Sequence, residues 1–133
     1  MNKILGIVLL CLIAAGTLLS EEPKEIVDEF FVMLEQSRIE DGVDYVFGTN
    51  PWMDRLRDEK VKFTNQLNSL TDLVGAYHGS DRIGERMLGD CMIGITYLAR
   101  FERQPVRFEF VFYRAQDTWR IHRFNFDDNP TDD

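Results

Sequence analysis

Leu98–Asp128 reads LARFERQPVRFEFVFYRAQDTWRIHRFNFDD. Val106, Phe108, Phe110 and Phe112 fall on every second residue, with Arg107, Glu109 and Val111 between them. This alternation marks a strand with one buried face. Ala115-Gln116-Asp117-Thr118 interrupts the run with turn chemistry, and an aromatic strand resumes from Trp119 to Phe126. Two such strands so close in the chain should pair as an antiparallel hairpin. The rest of the chain must then cover their apolar face.

Working upstream, Cys91, Ile93, Ile95, Tyr97, Ala99 and Phe101 alternate with Met92, Gly94, Thr96, Leu98 and Arg100, a long strand with one apolar face. Cys91 is expected there as a small buried residue, the interchain disulfide and nucleophile readings being the alternatives. Ile83 to Leu88 is a weaker strand after the turn-rich Tyr77–Asp81, and Gly89-Asp90 supplies the next turn. The closing strand has a phase problem. Trp119 and Ile121 share one face, and Phe124 and Phe126 the other. One extra residue near His122-Arg123 puts all four inward, so a β-bulge is expected there.

Helical periods come earlier. Pro23 suits a first helical position, and Ile26, Val27, Phe30, Phe31, Met33 and Leu34 then form a broad apolar stripe. Gly42 weakens any continuation, and Val43–Phe47 reads as a short second helical segment. Asn50 is a cap with Pro51 at the first position of a third helix. Leu56, Phe63, Leu67, Leu70 and Val74 carry that helix unbroken to Gly75. Its charged residues Asp54 to Lys60 read as a solvated face. Helices first and strands second indicate an α+β fold. Amino-terminal helices pack on one face of a curved antiparallel sheet of about four strands.

The chain divides as residues 1–20, 21–128 and 129–133. In the first segment Lys3 is the only charge and Ile4–Leu19 is almost wholly apolar, the pattern of a secretory signal peptide. The expected location is therefore secreted or periplasmic. Cleavage is expected after Gly16 or Ser20, with an uncleaved anchor as the alternative. Cys11 follows the bulky Leu10, which argues against lipidation. Loss of Lys3 takes the net charge from −8 to −9, which disfavours nucleic acid and anionic lipid as partners. Residues 129–133 form an acidic tail; an exposed end is the ordinary reading of its aspartates.

The opening helix with Phe30-Phe31, the helix ending at Gly75 and the hairpin VRFEFVFYRAQDTWRIHRFNF together resemble the nuclear transport factor 2-like, or cystatin-like cone, superfamily. The resemblance spans about Pro23 to Asp128, and the hairpin is similar to that of small secreted bacterial members. It implies a cone of helix and curved sheet. It does not imply one activity, because this superfamily hosts dehydratases, isomerases, transport factors and plain binding domains. The chain departs from the enzymatic pattern. About three residues separate Phe47 from Pro51, which leaves no room for the hairpin that usually walls the pocket. The first helix has no tyrosine and the inward strand positions no aspartate, the groups that steroid isomerase relatives use.

His78 and His122 are the only histidines, and neither has a second ligand at metal-binding spacing. No phosphate-cradling glycine loop, G-x-S-x-G or Cys-x-x-Cys occurs, so neither metal nor cofactor is expected. Tyr45, Trp52, Tyr97 and Trp119 are the candidates to line a cleft. His122 and Tyr97 are the weak candidates for an acid–base pair in a small lyase, isomerase or hydrolase. Arg107, Glu109, Val111 and Tyr113 should occupy the outer sheet face, where Arg107 is placed to meet Glu109 of a second copy in a homodimer. The favoured function is a binding or interaction module for an unknown protein or small ligand, using the cone cleft or the outer sheet face. Mass spectrometry of native protein should find a chain beginning between Thr17 and Glu22. An intact Met1 on membrane-bound material would refute cleavage.

Overall fold

The computed structural model describes residues 21–131. The export segment with Cys11, and Asp132-Asp133 of the acidic tail, lie outside the described residues. Four helices, α1 (Pro23–Glu35), α2 (Ile39–Gly48), α3 (Pro51–Asp54) and α4 (Arg57–Val74), precede four strands. These are β1 (Tyr77–Leu88), β2 (Met92–Phe101), β3 (Pro105–Tyr113) and β4 (Arg120–Asp127). The strands form one antiparallel sheet in the order β1-β2-β3-β4. The fold is α+β, as expected.

The alternation in β2 and β3 sets the core. Ile93, Ile95, Tyr97 and Ala99 stand opposite Phe112, Phe110, Phe108 and Val106, and all eight are buried. The bulge falls where the phase requires it. Val111 pairs with Arg123 and Phe112 with Ile121, which leaves His122 as the additional residue. Ile121 and Phe124 therefore both point inward, and Phe126 is half-buried.

Helix α1 lays Ile26, Val27, Phe30, Phe31 and Leu34 against this face. The Phe30 ring meets those of Phe31, Phe108, Phe110 and Phe124 at centroid distances of 5.3, 5.7, 5.8 and 5.1 Å. Such pairs add ~0.5–1.5 kcal/mol each beyond burial, though not additively.

Several local expectations are corrected. Helix α2 starts at Ile39 and runs through Gly42, because a bare backbone is needed there. A Cβ at Gly42 would lie 3.1 Å from Phe30 Cδ1. The third helix is not continuous: it breaks after Asp54, and Leu56 caps α4 with 51% of its surface exposed. Asn50 does cap α3, its Oδ1 accepting from Trp52 N–H at 3.0 Å. Its Nδ2 also donates to Ile121 O at 2.7 Å, and Ile121 N–H donates to Thr49 Oγ1 at 3.0 Å. The start of α3 is thereby tied to β4. The change of direction after Asp54 then lets α4 bring Phe63 onto Phe47, Phe124 and Phe126. Lys60 spans the break through Asp54 at 2.8 Å and Asp44 at 3.3 Å.

Strand β1 begins at Tyr77, earlier than the turn-rich composition suggested. Tyr77 stacks on Phe31 and meets Phe101, and irregular register at Gly79 and Gly84 absorbs the misfit. Cys91 is exposed in the β1–β2 turn instead of buried in β2, since Leu88 and Met92 close that hairpin. Helix α4 ends against the β2–β3 loop. Arg103 donates to Leu73 O at 2.7 Å and its backbone N–H to Val74 O at 2.8 Å, so the terminal carbonyls are satisfied.

Alanine in place of an interior helical glycine ordinarily gains ~1 kcal/mol. Gly42→Ala is predicted to lower the melting temperature instead, because the buried Phe30 ring has no space to yield. Gly48→Ala, with nothing within 4 Å of its Cβ, should leave stability unchanged or raise it. Thermal unfolding of both variants checks this, and a stabilised Gly42→Ala would contradict the packing described.

Candidate functional site

The four cleft candidates do not converge. Tyr97 is buried, its ring 5.3 Å from Phe31 and 6.1 Å from Phe110. Burial raises the pKa of its phenol, with Asp28 adding to the effect. Trp119 is also buried, with the Arg114 guanidinium 4.4 Å from its ring centre. Tyr45 is half-buried on α2, and its hydroxyl donates to the Glu21 carboxylate. Burial raises the Tyr45 pKa, and the Glu21 contact raises it further. Trp52 is 69% exposed on α3, with Arg55 5.1 Å from its ring centre.

The space between the helices and the inner face of the sheet is filled by rings. Phe110 and Phe124 stack at 4.6 Å, and Phe63 lies 4.6 Å from Phe124. Among the described residues no charged or non-aromatic polar side chain is buried. His122 sits on the outer face at the bulge while Tyr97 points inward, so the sheet separates the two members of the expected acid–base pair.

The outer face is different. Thr96 and Gly94 of β2 stand opposite Glu109 and Val111 of β3, and these opposite Asn125 and Arg123 of β4. Gly84 and Arg86 complete the two rows on β1. A groove of about 610 Å³ crosses this surface. Arg86, Met92, Val111 and Arg123 border it, and Pro130 and Thr131 reach its rim.

The expected interface residues lie here, with Tyr113 43% exposed at the end of β3. Arg107 and Glu109 are already engaged within the chain. Arg107 lies 3.7 Å from Asp127, and Glu109 lies 3.4 Å from Arg123. An Arg107–Glu109 pair between two copies would have to replace both of these contacts.

A second surface runs along α4, where Val61, Leu70 and Leu73 with Phe126 line an open apolar groove of about 830 Å³. Leu73 is 72% exposed. The sequence points to the outer sheet face and to Arg107, Glu109 and Val111 on it, but its periodicity shows neither the groove that crosses this face nor the α4 surface. Gly94, a glycine inside an otherwise regular alternation, was the available signal for the first. Val61 and Leu73, off the buried stripe of α4, were the signal for the second.

Among the described residues no group of three or more His, Cys, Asp or Glu side chains is placed to hold a metal ion. No described helix is long and apolar enough to cross a membrane. No protein-family model, curated protein or solved structure matches the chain.

Proposed function

We propose that this chain is an exported binding module, secreted or periplasmic, with a nuclear transport factor 2-like cone that works through its outer sheet face. The observation that carries this reading is the contrast between the two faces. The inner face is packed with phenylalanine rings, while the outer face presents arginines, a glutamate and apolar side chains around a groove. Specific recognition needs such a mixture of apolar contact and placed polar groups in a concave site. Export rests on the apolar run behind Lys3. The net charge of −8 argues for a small ligand or a protein over a nucleic acid.

A thermal-shift screen of small organic solutes tests the location. Solutes that raise the melting temperature of the wild type should lose that effect in Val111→Arg and keep it in Val61→Ser. Stabilisation retained in Val111→Arg but lost in Val61→Ser would place binding on α4 and contradict the proposal.

A further inference from the structure

Gly94 is the third residue of β2, in the row Arg86, Gly94, Val111, Arg123 that crosses the whole sheet. Glycine inside a strand costs stability and commonly marks a bend or a close approach by another group. Nothing within the described fold requires it here. Gly94 is not among the glycines of positive φ, and a Cβ would come no closer than 3.9 Å to any atom. Gly84 is similar, its nearest neighbour being Thr96 Cβ at 3.7 Å. Together they leave bare backbone as part of the groove lining, with Met92, Val111 and Ile83 beside it.

The charges around this lining are unequal. Arg123 is held by Glu109 at 3.4 Å, whereas Arg86 has no ion pair among the described residues. A guanidinium pairs best with a planar carboxylate, and an aromatic ring packs well over exposed glycine in a sheet. The groove, at about 610 Å³, is far larger than a lone ion and within the range of small-molecule sites. The acidic remainder of the chain opposes an extended polyanion.

We propose that the outer groove binds a small aromatic carboxylate, with the ring over Gly94 and the carboxylate on Arg86. This rests on the outer face being the binding surface, and the test separates the two ideas. The ¹⁵N-labelled protein is titrated with 2-naphthoate and with the neutral 2-naphthalenemethanol, following the amide signals of Gly84 and Gly94. Naphthoate should shift both signals and bind about tenfold or more tightly than the alcohol. Arg86→Gln should remove that advantage and leave alcohol binding unchanged. Gly94→Val, shown to be folded by circular dichroism, should abolish both.

Equal binding of alcohol and acid at the glycine amides, unaffected by Arg86→Gln, would overturn the carboxylate assignment and leave the outer face as the site. Glycine amides unmoved by either compound would overturn the assignment as well. Binding of either compound that persists in Gly94→Val and shifts signals of α4 would overturn the outer-face reading too.

Discussion

The contact on which the structure depends is the Phe30 ring against the sheet. It is fully buried and touches aromatic rings from α1, β3 and β4 at once. The same ring presses on Gly42, so it also sets how close α2 can approach α1. One side chain therefore fixes the spacing of two helices and a sheet. It also fills the space between the helices and the sheet. Filling the interior with rings stabilises the chain.

A second constraint acts at the sheet edge. Among the described residues β4 is an edge strand, and an open edge invites unwanted pairing. Thr49 and Asn50 occupy the backbone N–H and C=O of Ile121 on that edge. The residue after Ile121 is the bulged His122, so the clasp and the bulge meet at one point. The clasp holds the helical layer in register with the strand that must turn Phe124 inward. The bulge also sends His122 to the outer face, beside the groove.

The order of elements, the register-setting alternation of β2 and β3 and the bulge were legible in the sequence, because each follows from a local period or its interruption. The misreadings came where a distant partner outweighs local preference. Tyr77 enters a strand because Phe31 and Phe101 receive its ring, although Gly79 and Ser80 nearby favour a turn. Ahead of the break after Asp54, Asn50 is tied to Ile121 of β4, 71 residues away in sequence, a partner that no local pattern shows. Cys91 fits the alternation of β2 and yet lies in the turn, since hairpin closure decides where pairing starts. The expected cleft was illegible because aromatic residues at these spacings serve core and cleft alike. Only packing shows that Tyr97 and Trp119 belong to the core.

The rings of Phe30, Phe108, Phe110 and Phe124 pack the interior without leaving a cavity at their centre. Xenon enters dry apolar cavities and finds no room in closely packed rings. Titration of the protein with xenon under pressure, followed by aromatic and methyl NMR signals, measures this directly. No saturable shift is expected at Phe30, Val27, Phe108 or Phe110. Saturable shifts centred on those residues would reveal an interior cavity and contradict this packing.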